Sequence, residues 1–262
     1  MHIRIIIFCL LATLTGPLMP LSGQAVNQTD GEGRKQGHWI KKYPNGDLMY
    51  DGFFKNDKPE GEFRRYYENN TIKSVMIFSG NGTEAVASLY YPNGFKASEG
   101  KYVNQLKEGR WQFFSPSAEG MLISEEEYSK NKRNGISVNY YDNKVIEEKT
   151  TYKNDLLNGE YLKYYPDGSL FLRTSYVNGK LNGRFEAFFE NGKPEFLGAY
   201  KDDLKNGQWI FYKKEGGERF RTEYDLGVAK NRDLDIYESN IMDSLELNKG
   251  KIADPEKTGQ IW

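Results

Sequence analysis

The chain has 262 residues, of which 38% are hydrophobic and 15% aromatic, with 27 Gly, 36 Lys and Arg, 37 Asp and Glu, and a single Cys. Sparse aliphatic residues with many rings and glycines exclude an ordinary aliphatic-cored domain and suit short strands joined by turns. Nearly balanced, well-mixed charge excludes a nucleic-acid footprint and weakens attraction to anionic lipid.

Residues 1–25 read as a secretory signal peptide. Arg4 precedes an apolar stretch from Ile5 to Leu14, and Gly23 and Ala25 supply small residues for cleavage after Ala25. A membrane span needs about 20 apolar residues, and Thr15, Gly16 and Pro17 interrupt this one. The protein is therefore expected to be exported, to the periplasm, the cell surface or the medium. Removing the signal takes away Cys9 and His2 and leaves one imidazole, His38. That excludes a Cys nucleophile, a Cys-based metal site and any site needing two His from one chain. Residues 26–36 read as a linker.

From Gly37 the sequence repeats. Taking the Gly of "KQGHW" as position 0, the anchors are Gly37, Gly61, Ala85, Gly109, Gly135, Gly159, Gly183, Gly207 and Asn231. The interval is 24 residues except for one of 26, where the turn "SPSAEG" is two residues longer than "YPNG". Positions 8 and 9 carry turn pairs such as Asn45-Gly46, Asn93-Gly94 and Asp167-Gly168. Asn-Gly between alternating runs predicts a two-residue β-hairpin turn with positive φ at both residues. Each unit is then one hairpin, in which the positions of cross-strand partners sum to 17.

This register sorts the residues onto two faces. One face takes position 2 (Trp39, Phe63, Trp111, Tyr161, Phe185, Trp209), position 6 (mostly Tyr, with Ser115 and Lys213 as exceptions) and position 17 (Phe54, Phe78, Tyr102 and their equivalents). Leu48, Ile72, Leu122, Ile146 and Leu170, at position 11, are expected to complete this apolar face. The ring at position 17 is expected to cover the anchor Gly opposite it. The other face is mostly charged, with Asp51, Glu99, Glu125, Lys149, Arg173 and Arg221 on the second strands. It has one aromatic row at position 5: Tyr66, Tyr90, Phe114, Tyr140, Tyr164, Phe188 and Tyr212.

The phrases "GHWIKKYPNGDLMYDG", "GEYLKYYPDGSLFLRTSY" and "GRFEAFFENGKPEFLGAY" resemble the MORN repeat, most closely its bacterial variant. The resemblance implies a family of scaffolding, partner-binding and membrane-associated proteins built from successive antiparallel hairpins. An antitoxin role, given to some bacterial relatives, fits poorly with an export signal. The expected fold is all-β: an extended, twisted single-layer antiparallel meander of about eight 24-residue hairpins over 37–230. A degenerate capping repeat and flexible tail follow at 231–262. Whether the apolar face is hidden by coiling of the sheet or by pairing of two copies into a homodimer stays open.

No catalytic, metal or cofactor site is expected. The carboxylates are spaced as solvated strand residues rather than as a converging pair, "SEEEY" at 124–128 is too short for a cation site, and His38 reads as a solvated surface residue. The chain is therefore expected to be a non-enzymatic scaffold binding an envelope or extracellular protein. Glycan or cell-wall binding along the position-5 ladder is the alternative, and lipid-surface association a further one.

Overall fold

The computed structural model describes residues 25–230. Residues 1–24 of the expected signal peptide and the expected cap at 231–262 lie outside the described residues. Among the described residues, 19 strands form one antiparallel sheet in chain order. The sheet is open: strand Gln28–Thr29 pairs only with Lys35–Lys42, and strand Val228–Ala229 only with Glu218–Asp225. Residues 26–36, read as a linker, contain the first of these edge strands. There the Gln28 carbonyl accepts the Trp39 indole N–H at 3.1 Å, the role that the Lys101 and Ala199 carbonyls play for Trp111 and Trp209.

The predicted register holds through most of each hairpin, as in Gly37↔Phe54, Trp39↔Gly52 and Lys41↔Tyr50. It fails near the tip, because the turn differs from the one predicted. The Gly46 N–H bonds the Tyr43 carbonyl at 3.0 Å and the Tyr43 N–H bonds the Asp47 carbonyl at 2.8 Å. That is a three-residue loop in which only Gly46, at φ +93°, is left-handed. Turns with positive φ at two consecutive residues join successive hairpins instead, as at Asn56-Asp57 (+50°, +65°) and Asp202-Asp203 (+49°, +70°).

A bulge beside the loop shifts the pairing to Lys42↔Leu48, Tyr66↔Ile72, Phe114↔Leu122, Tyr140↔Ile146 and Tyr164↔Leu170. Cross-strand partners share a face, so the position-11 aliphatics sit beside the position-5 rings on the outer face. Their assignment to the apolar face is therefore corrected. Position 12 turns inward in their place: Ala97 is fully buried, and Ile123 and Phe171 pack on the core.

The anchor glycines also serve a different purpose from the one expected. A Cβ at Gly37, Gly61, Gly109 or Gly207 would touch nothing within 4 Å, so no ring covers them. Their φ values of +68° to +74° show why Gly recurs, since a Cβ would be strained there; Gly61 and Gly109 sit at bulges between hairpins. Ala85 supports this account. Its hairpin joins the previous one without a register shift, and the residues otherwise taken up by the bulge lengthen the turn at Gly80–Gly82.

The inner face is built on size complementarity between position 2 and the position-15 residue of the preceding hairpin. A Cβ at Gly52, Gly100 or Gly198 would overlap the rings of Phe63, Trp111 and Trp209. Thr150 and Thr174 face Tyr161 and Phe185, Met76 faces Ala87, and Glu126 faces Ser137. Large meets small throughout. The rings are then covered from position −2: Lys107, 1% exposed, holds its ammonium 4.8–4.9 Å from the rings of Trp111, Phe113 and Tyr128. Lys35, Lys205 and Arg133 take equivalent places over Trp39, Trp209 and Tyr152. Trp111, Trp209 and Phe196 are 0% exposed within one chain, so hiding these rings requires no second copy.

Position 6 joins hairpins end to end. The hydroxyls of Tyr43, Tyr67, Tyr91, Tyr141 and Tyr165 donate to the carbonyls of Tyr66, Tyr90, Phe114, Tyr164 and Phe188 at 2.7–3.1 Å. The loop Asn does the same: the side-chain amides of Asn93, Asn143 and Asn191 reach the carbonyls of Pro116, Pro166 and Lys214.

Two outcomes follow in thermal or urea melts. Gly198→Thr destabilises by about 3 kcal/mol through overpacking against Trp209, and adding Trp209→Phe recovers part of the loss because Thr174 already faces Phe185. Tyr165→Phe removes one hydrogen bond and lowers stability by about 1 kcal/mol.

Candidate binding face

The outer face carries the charged rows and the position-5 rings. The seven rings predicted as a ladder all lie on it, and each is half-buried rather than exposed. Position 11 explains the cover: Tyr66, Phe114, Tyr140, Tyr164 and Phe188 are paired with Ile72, Leu122, Ile146, Leu170 and Pro194. Tyr90 and Tyr212 are paired with Lys96 and Glu218 instead. The Lys96 ammonium also lies 5.7 Å from the Phe114 ring. Apart from His38 on Phe53, the ring contacts of the sheet are on the inner face, where Phe196 stacks on Trp209 and Phe211 on Phe220.

Charges on the outer face are organised in cross-strand groups. The carboxylate of Glu125 accepts from Arg110, from the Gln112 amide at 2.7 Å and from the Tyr140 hydroxyl at 3.1 Å. Burial pushes Glu125 upward, but these donors prevail and hold its carboxyl below the usual range. Tyr140 is pushed up by burial and by the Glu125 charge beside it. Arg173 meets Glu186 across strands at 3.5 Å, whereas Arg221 is paired with Glu218 along its own strand.

His38, read as merely solvated, is instead held: its Nε2 lies 2.7 Å from Asp51 and its ring stacks on Phe53 at 5.1 Å. The acidic run at 124–128 is split by strand alternation. Glu125 pairs with Gln112 and Val138 on the outer face, while Glu126 sits opposite Trp111 and Ser137 on the inner one. Among the described residues, no three His, Cys, Asp or Glu side chains come together as a metal site.

Two features of this surface escape the sequence reading. Phe53, Ile77 and Val86 are 44%, 55% and 60% exposed on the outer face, with Ile77 and Val86 directly paired. The covering cations at position −2 were legible as Lys35, Lys107, Arg133 and Lys205 two residues before an anchor. Only the bulge at the anchor shows which face they reach.

Comparison with protein families matches the model described as MORN repeat variant at residues 35–56, 59–79, 133–154, 157–178 and 181–202. The chain carries MORN-variant repeats across residues 35–202. No curated protein matches it. The matches fall on the first, second, fifth, sixth and seventh MORN hairpins. The unmatched hairpins at 84–103, 106–129 and 207–225 repeat the same strand pairing, so the hairpin array extends beyond the matched copies. No helix among the described residues is long and apolar enough to cross a membrane.

Because Glu125 is held in its ionised form, it contributes stability above pH 4.5, the ordinary value for this group, and loses that contribution as pH falls through its lowered folded value. Urea melts at pH 7 and pH 3 should show a smaller acid loss in Glu125→Gln than in the wild type. The difference is modest, since Arg110 is largely exposed.

Proposed function

We propose that this MORN-variant protein is an exported, non-enzymatic scaffold that binds a partner protein on its outer face. The observation that carries this reading is the directly paired Ile77 and Val86, 55% and 60% exposed, with Phe53, 44% exposed, two strands away on the same face. Adjacent exposed hydrophobics rimmed by charge favour association with another protein surface. The ion pairs around the patch, such as Arg64 with Glu62 at 2.5 Å and Lys101 with Glu84 at 2.8 Å, supply the polar rim. Export rests on the apolar stretch from Ile5 to Leu14 and the small residues Gly23 and Ala25 that follow it.

A second reading, glycan binding along Tyr66, Tyr90, Phe114, Tyr140, Tyr164, Phe188 and Tyr212, is favoured by the alignment of these rings in one row, each keeping part of its surface in solvent. Retention on insoluble polysaccharide should then be lost when Tyr140, Tyr164 and Tyr212 are all changed to Ala. Unchanged retention eliminates this reading.

The scaffold reading is tested by immobilising the chain from Val26 onward and exposing it to envelope extract of its own cell. A protein retained by the wild type should be lost with Ile77→Lys combined with Val86→Lys, at unchanged melting temperature. Failure of the wild type to retain any reproducible protein overturns it.

A further inference from the structure

The position-6 row has one vacancy in the middle of the array. Five tyrosines in this row insert a ring between successive hairpins and donate a hydroxyl to the carbonyl of the residue 23 positions ahead. In the fourth hairpin the residue is Ser115, whose short side chain is buried and turned to the Ser117 hydroxyl at 3.0 Å. The carbonyl at the equivalent place, position 5 of the next hairpin, is that of Tyr140, 25 positions ahead because the turn between them is two residues longer.

A cleft of about 540 Å³ lies beside this position, lined by residues of the fourth, fifth and sixth hairpins. Its walls include Ile123, Tyr140, Tyr141, Asp142, Glu147 and Pro166. These are the neighbours a position-6 tyrosine has elsewhere. Tyr165 packs on the position-12 ring of its own hairpin, Phe171, at 4.9 Å, and it senses Glu190 and Glu195 at positions 7 and 12 of the next. Ile123, Asp142 and Glu147 hold the corresponding positions around Ser115.

We propose that this cleft is a receptor for a tyrosine side chain of a partner protein, its ring lying between Ile123 and Tyr141 and its hydroxyl donating to the Tyr140 carbonyl. The template is internal: the same fold already seats a phenol in this geometry five times. Asp142 and Glu147 at the rim favour a partner tyrosine flanked by Lys or Arg. The proposal deepens the scaffold reading by naming a recognised side chain, and it rests on that reading for the source of the phenol.

The isotope-labelled full chain is titrated with N-acetyl-tyrosinamide and followed by amide chemical shifts. The expected result is a saturable change at Tyr140, Tyr141 and Glu147, about tenfold weaker with N-acetyl-phenylalaninamide, as befits one lost hydrogen bond. Ser115→Tyr should fill the cleft, raise the melting temperature and abolish the response, while Ser115→Ala keeps it. Should Ser115→Tyr not fold, Ile123→Trp crowds the same space and supplies the comparison. No saturable change with the tyrosine probe, equal affinity for the phenylalanine probe, or an undiminished response in a filled variant overturns the proposal. Partner capture that survives in Ser115→Tyr leaves the scaffold standing and sinks the receptor. A responding cleft with no captured partner does the reverse.

Discussion

A single layer of strands has no second layer to cover its apolar face, so each ring must be hidden by residues of the same sheet. The seating of a position-2 ring over a side-chain-poor residue of the preceding hairpin does this. Where position 15 is Gly, the indole of Trp111 or Trp209 lies against bare backbone and becomes fully buried. Burying such a ring is worth about 2–3 kcal/mol, and each one couples a hairpin to its neighbour. The array is thus held as repeat proteins are, by nearest-neighbour interfaces rather than by a central core.

That mode of assembly makes local departures matter. Ser137 replaces the position-2 ring in the fifth hairpin, Glu126 faces it, and Ser115 removes the tyrosine link one hairpin earlier. The buried residues accordingly divide into two clusters, one spanning Ala85 to Tyr128 and the other Tyr161 to Tyr224. The backbone ladder runs unbroken across the join. A continuous sheet with an interrupted core is a place where local opening costs less than elsewhere. The proposed tyrosine receptor lies at this join.

Charge is distributed to suit a face that meets solvent. Carboxylates and guanidinium groups are paired across strands, as in the Glu125 cluster and at Arg173 with Glu186. Exposed pairs of this kind contribute little to stability but keep a long open sheet from presenting a uniform apolar surface. Both end strands are short, which limits edge-to-edge association.

Repetition, the number and order of the hairpins and the rings at positions 2 and 17 of the inner face were legible in the amino-acid sequence, because period-24 spacing and period-2 alternation leave one consistent pairing; the edge strands Gln28–Thr29 and Val228–Ala229 were not. The position-5 row was also placed on the outer face correctly. What the sequence did not disclose were the bulges. An Asn-Gly pair suits both a two-residue and a three-residue loop, and choosing between them moves position 11 from one face to the other. Likewise, a recurring glycine signals either close approach of a ring or left-handed backbone; Gly198 is the first kind and Gly207 the second. Alternation is local and readable from spacing, whereas a one-residue slip depends on which loop and which neighbouring strand the backbone meets in three dimensions. Only the tertiary structure decided that.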